Sequence, residues 1–246
     1  MNPNSLEMPE SFAKLLFATQ SHMGGADVTK TMKEYIYGAR GDKITVFDIK
    51  KMWEKYVLAA RAICGLQYAD DITVISCKTF GRKPVMKFAE STGAKPYTGR
   101  FIPGSFTNTS IKKSCEPRLI IVSDPILDEQ AIEEAAKINC PTIAFCNTDS
   151  DLKYVDIAIP MNNRSPRAIG VGFFILKRIV RYIQQGKNME ENIKEVELFF
   201  YRDTFELEQL QEEQNEAKNA DLASQMKETH DEIDFGKQSV ESNSWQ

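Results

Sequence analysis

The stretch Leu119–Pro160, LIIVSDPILDEQAIEEAAKINCPTIAFCNTDSDLKYVDIAIP, decides how this chain is read. Within it, three short apolar runs, Leu119–Val122, Thr142–Cys146 and Ile157–Ile159, are rich in β-branched residues and show no polar alternation. That pattern predicts strands buried on both faces, as in a parallel sheet under helices. Between the first two runs, Ser123-Asp124-Pro125 breaks the strand. From Asp128 to Lys137 and just beyond, Ala131, Ile132, Ala135, Ala136 and Ile138 then fall on one helical face. The unit is a βαβ crossover. The second run ends in Asn147-Thr148-Asp149-Ser150, whose side chains bond to backbone and favour turns. In open parallel sheets such strand ends form the ligand-facing edge.

Outward from this stretch the same pattern continues. Ile72–Ile75 predicts another buried strand, and Pro84–Ser91 a helix closed by Gly93. Asp48 caps a helix whose apolar positions Ile49, Met52, Trp53, Tyr56, Val57, Ala60, Ile63 and Cys64 recur at helical spacing up to Gly65. Pro9–Thr19 predicts a short amphipathic helix, ended by His22-Met23-Gly24-Gly25. Glu34–Gly38 and Ile44–Phe47 read as a hairpin with a charged tip. Ser165 is placed to cap a helix that Pro166 begins; it runs over Ala168–Gln185 and is apolar nearly all round at first, so it should be buried. Gly170 and Gly172 would let it lie close against the sheet, and Lys177, Arg178 and Arg181 suit its C-terminal end. The fold class is α/β, a three-layer parallel sheet with helices on both faces, flavodoxin- or Rossmann-like, over residues 1–205 as one domain.

Composition narrows the function. The 246 residues are 42 % hydrophobic, with no window near the roughly 18 uninterrupted apolar residues of a membrane span. The N-terminus lacks the form of a signal peptide, and an intracellular protein without a membrane role is expected. Five cysteines, Cys64, Cys77, Cys115, Cys140 and Cys146, form no C-x-x-C pair, and the two histidines, His22 and His230, are far apart. Buried thiols in a reducing compartment are expected, with no metal and no cofactor.

The net charge of −4 hides a division. Met1–Asn188 holds 26 Lys+Arg against 19 Asp+Glu, whereas Met189–Gln246 holds 5 against 16. A mildly basic body with an acidic end suggests a nucleic-acid-facing surface. The densest cationic segment is Lys78–Arg118, where nine Lys and Arg face only Glu90 and Glu116. It contains the long loop Tyr97–Ser110, YTGRFIPGSFTNTS, and long loops inside compact domains are usually functional. Asn192–Phe205 is too apolar at Val196, Leu198, Phe199, Phe200 and Tyr201 to hang free; it should pack on the body or a partner. Residues 206–246 are acidic and poor in large apolar side chains, so they form a helix on a partner or remain disordered.

Enzyme motifs are missing. There is no G-x-G-x-x-G after a strand, no G-x-x-x-x-G-K-[ST], and no G-x-S-x-G elbow. Asp124 and Asp149 stand at strand ends, where catalytic carboxylates often lie, but turn formation explains both more simply.

A longer collinear set of motifs is HMGG at His22–Gly25, YIY at Tyr35–Tyr37, LAARAI at Leu58–Ile63 and GRFIPGSFTN at Gly99–Asn108. It continues with EPRL at Glu116–Leu119, Asp124-Pro125, PTIAFCNTDSDLKYVDIAIPMNN at Pro141–Asn163 and FYRD at Phe200–Asp203. On these, over about Glu7 to Asp203, the chain resembles the ribosomal protein SA family. This is the eukaryotic and archaeal branch of a universal small-subunit ribosomal protein family, whose animal members are also called laminin-receptor precursors. The resemblance implies no enzyme but a structural constituent of the small subunit of the cytosolic ribosome, on its solvent side near the head-body junction. It implies binding to rRNA and to neighbouring ribosomal proteins, a need for the protein in subunit assembly and rRNA maturation, and passage through the nucleus. Translation initiation factors are among the partners it allows. On that reading Arg82, Lys83, Arg100, Lys112, Lys113, Arg164 and Arg167 meet rRNA, while Phe199, Phe200 and Tyr201 meet a protein neighbour. The chain departs from animal relatives in its short tail, in Cys115 where an arginine is common, and in Phe173 and Phe174 where two tryptophans stand. The tail and the altered stretch Ile159–Arg178 argue against laminin binding.

Overall fold

The computed structural model describes residues 7–111, 114–186, 188–203, 205 and 207. The expected acidic segment, 206–246, therefore lies outside the described residues apart from Leu207. By its contacts the chain divides into a compact unit, Met1–Tyr201, and a second, Arg202–Gln246.

Five parallel strands form the main sheet: β3 (Ile72–Ser76), β4 (Lys95–Thr98), β5 (Leu119–Val122), β6 (Thr142–Cys146) and β7 (Ile157–Pro160), in the spatial order β4-β3-β5-β6-β7. The three runs that opened the sequence reading are β5, β6 and β7, and β3, β5 and β6 are buried along their whole length. The strand missed in sequence is β4. It contains Lys95 and Pro96 and no apolar run, and it survives because it is an edge strand paired only to β3, where a proline is tolerated.

Chain direction across the sheet reverses after β4. The β3–β4 crossover through α3 (Arg82–Thr92) and the β5–β6 crossover through α4 (Glu129–Lys137) run opposite ways, so right-handed connections set these helices on opposite faces. On the α3 face pack α2 (Ile49–Cys64) and α5 (Pro166–Gln185), with α1 (Glu10–Ala18) against α5. The α4 face is completed by the loop that follows β4, over residues 99–111. Glu134 of α4, itself buried, accepts from the backbone N–H groups of Gly104 (2.5 Å) and Phe106 (3.3 Å) in that loop.

Local expectations are met where the chemistry is local. Asp48 accepts from Lys50 N–H at 3.0 Å and starts α2, and Gly93 ends α3 with φ +81°. The hairpin is β1 (Ile36–Ala39) and β2 (Thr45–Phe47). Ser165 holds the cap position of α5 but makes no side-chain cap bond. Phe173 and Phe174 are buried on α5 against Phe88, Phe145, Phe12 and Phe199.

Two expectations for α5 change. Lys177 and Arg178 do not serve the helix end, which lies at Gln185; both are buried on Glu195, with N–O distances of 3.2 and 3.1 Å. They fasten the turn Ile193–Phe199 to the body. Gly170 makes its close approach to that turn rather than to the sheet, since a Cβ there would stand 2.9 Å from Phe199 O. Gly172 is pressed on Met161 and Tyr56, just past β7 and on α2.

Candidate nucleic-acid interface

In a sheet of this order the ligand crevice opens where strand order reverses, outside the carboxyl ends of β3 and β5. Here the chain's own side chains occupy it. Ser123 Oγ donates to Ser76 Oγ at 2.7 Å, and Cys77 N–H donates to Asp128 Oδ1 at 2.9 Å. Lys78 Nζ lies 2.6 Å from Asp124 Oδ2 and donates to Asn163 O at 2.7 Å, with the Lys78 and Asp124 side chains each only 8 % exposed. Gly81 lets the chain turn over this group, because a Cβ there would sit 2.1 Å from Ser76 Oγ. Burial, reinforced by the neighbouring Asp124 charge, pushes the Asp128 carboxyl up to about 6 against the opposing Cys77 N–H. Asp124 also accepts from Ile126 N–H at 3.0 Å, the turn role expected of it.

Around the filled crevice stands a cationic rim. Arg82 and Lys83 open α3 directly after β3, Arg100 follows β4, and Arg164 and Arg167 stand between β7 and the first turn of α5. All five belong to the carboxyl edge of one sheet. Arg82, Arg100 and Arg167 are exposed and have no ion-pair partner among the described residues, whereas Arg164 is paired with Asp149. Lys112 and Lys113 lie outside the described residues. Helix ends add to the rim: neither α3 nor α5 has an acidic residue in its first turn or a side-chain cap. Cations at a positive helix end are unfavourable alone and suit an anion placed between them.

Three other cations of the segment are paired within the chain. Lys78 is buried in the crevice, Lys87 pairs with Glu90 at 2.7 Å and Arg118 with Asp71 at 3.6 Å. The loop aromatics are equally occupied. Tyr97, Phe101 and Phe106 stack in series at 5.3 and 5.0 Å, and Tyr97 Oη accepts from Ile102 N–H at 3.2 Å, so none is a free platform for a base. Cys115 is held by its N–H on Ser105 O at 2.9 Å. The thiols Cys140 and Cys146 are buried, and desolvation raises both, Cys140 to about 11, which suits packing rather than chemistry.

Sequence reasoning missed Lys30. The glycine pair of HMGG threads the N-terminal segment against the end of β6: Gly25 N–H donates to Thr148 Oγ1 at 3.0 Å and Thr29 N–H to Thr148 O at 2.9 Å. A Cβ on Gly24 would stand 2.4 Å from Thr148. This brings exposed Lys30 to the same edge, and only the demand of two adjacent glycines for close backbone approach could have hinted at it.

Of the three aromatic residues expected to meet a protein, Phe199 is 1 % exposed, its ring on the edge of Phe174 at 5.7 Å. It has no surface to offer, because α5 has taken it into the core. Phe200 and Tyr201 are half-buried, and Leu198 beside them is exposed.

Comparison with known proteins identifies the family. Residues 111–186 match the family model described as Ribosomal protein S2. The chain is 69 % identical over 237 residues to the small ribosomal subunit protein uS2 of Enterocytozoon bieneusi, covering 96 % of this chain and 98 % of the relative. It is 44 % identical over 224 residues to the protein of the same name from Meyerozyma guilliermondii, covering 90 % and 85 %. Since both similarities run nearly end to end through the sheet, its filled crevice and its cationic rim, the chain belongs to the ribosomal protein S2 family, uS2.

Proposed function

We propose that this chain is a structural constituent of the small ribosomal subunit, acting in translation, and that it binds rRNA through the carboxyl edge of its sheet. The observation that carries the reading is the pairing of a closed crevice with an open rim. Lys78, Asp124 and Asp128 fill the place where this fold class holds a nucleotide, while Arg82, Arg100 and Arg167 stand exposed around it. Exposed arginines met by phosphate give affinity without a pocket, through counterion release and positioning contacts. Lys83, Arg164, Lys112 and Lys113 extend the same interface.

Neighbouring ribosomal proteins meet the half-exposed Phe200 and Tyr201 with Leu198, on the surface left after Phe199 is buried. With those contacts the chain supports subunit assembly and rRNA maturation, passing through the nucleus before residing on cytoplasmic ribosomes, where initiation factors are further partners. Residues 1–205 act as one domain, and the acidic residues 206–246 as an extension to it.

Gradient sedimentation of a lysate, at low and at raised salt, tests the reading. Co-migration with small subunits and whole ribosomes that resists moderate salt is expected, because protein contacts supplement the salt-sensitive phosphate contacts. A chain that stays at the top of the gradient under both conditions overturns it.

A further inference from the structure

A second feature of the carboxyl edge has the opposite charge. Between the start of α4 and the β6–β7 loop lies a cavity of about 190 Å³, lined by Glu129, Glu133, Asp149 and Asp151 against a single cation, Lys153. Its walls are otherwise apolar, from Pro125, Ile126, Ile132 and Tyr154. Ile126, the adjacent Leu127 and Tyr154 are 49, 56 and 52 % exposed, an apolar patch rimmed by carboxylates. Glu129 and Glu133 are one helical turn apart on α4, a like-charge pair that destabilises the free helix. Neither has an ion-pair partner among the described residues. Asp149 is paired on one oxygen by Arg164; its other oxygen, Oδ1, is buried without a hydrogen-bond partner among the described residues.

The geometry points to this cavity as the docking site for an arginine or lysine side chain carried on a basic, partly apolar segment of another protein. A guanidinium or ammonium entering it would donate to Asp149 Oδ1 and relieve the Glu129–Glu133 repulsion, while its aliphatic stem covers Ile126 and Ile132. A bare metal ion fits less well. No group of three His, Cys, Asp or Glu among the described residues is arranged to hold one, and an ion would leave the apolar wall exposed. RNA is excluded by charge. The proposal does not rest on the ribosomal reading, because its observations concern this cavity alone.

The test uses the purified full chain and the probe acetyl-Arg-Lys-Leu-Arg-Lys-amide, followed through the methyl resonances of Ile126 and Ile132. Acetyl-Glu-Asp-Leu-Glu-Asp-amide is the control. Saturable shifts of both isoleucines are expected with the basic peptide and none with the acidic one. Affinity should weaken about tenfold in E129Q/E133Q, two exposed helix positions whose change leaves the fold intact. Equal affinity in that variant overturns the proposal. So do Ile126 and Ile132 shifts reproduced by Mg²⁺ alone, or peptide-induced shifts confined to the acidic C-terminal residues.

Discussion

Lys78 and Arg82 stand four residues apart at the carboxyl edge of β3, and the fold uses them in opposite ways. Lys78 points inward, where Asp124 and Asn163 O hold its ammonium in a site that solvent hardly reaches. Arg82 points outward from the first turn of α3, with no ion-pair partner among the described residues and against the preference of its helix end. The same charge closes a crevice in one case and stays open to the proposed interface in the other. A cation with its counter-charge inside the chain is structural, and a cation left without one is available to the partner proposed for it.

The first way to break the comparison is Lys78→Ala. Removing one member of a buried pair leaves Asp124 charged and unpaired, so unfolding in urea should show a loss of about 3–5 kcal/mol. K78M/D124L removes both charges and should cost less than either single change, because no buried charge is orphaned. A Lys78→Ala loss no larger than that of a surface lysine would show that the crevice is open to water.

The second concerns Asp128, whose carboxyl is raised from 3.8 to about 6, chiefly by burial. The folded state therefore keeps a proton there that the unfolded chain has already lost, so this group's contribution to stability falls as pH rises through the interval between the two values. The slope is about 1.4 kcal/mol per pH unit. Asp128→Asn keeps a carbonyl for Cys77 N–H and abolishes that slope. The stability of the native chain minus that of the variant should decline from about pH 4 to about pH 6 and be level on either side. A difference independent of pH would mean that Asp128 is ionised at no cost and belongs with the exposed rim.

Much of this division was hidden from the sequence, for reasons visible in particular residues. The strands β5, β6 and β7 and the helices α2 and α4 were legible because their signals are local: β-branched runs, helical spacing, an Asp cap and a closing glycine. Edge strand β4 was not, since one-sided pairing lets Lys95 and Pro96 replace the apolar run that marks a buried strand. Arg82 and Arg100 lie in the segment that charge counting marks, and the fold brings them to one edge with Arg164 and Arg167. Counting could not separate Lys78 from them, because its partner carbonyl lies 85 residues away. Phe199 failed for the same reason: an apolar run shows that a segment must pack, not whether it packs on its own core or on a neighbour. Lys30 reached the edge through the glycine pair at Gly24-Gly25, a backbone device rather than a charge signal.

The smallest expected change in stability belongs to the rim itself. R82Q/R100Q/R167Q removes three exposed charges that the folded chain does not pair, so the shift in unfolding free energy should stay within about 0.5 kcal/mol per site. Arg82 and Arg167 also leave positive helix ends, which biases the shift toward stabilisation. RNA binding separates the two regions far more sharply. If each arginine neutralises a phosphate, the plot of log K against log salt for small-subunit rRNA should become shallower by about 2–3, with affinity falling most at low salt. K78M/D124L, which alters charge only inside the crevice, should leave that slope unchanged. A slope moved equally by both variants would show that the crevice pair sets the field felt by RNA. A slope moved by neither would place the phosphate contacts on residues other than these three. Only a shallower slope in the rim variant alone, at nearly unchanged stability, assigns the outward arginines to a partner and the inward lysine to the fold.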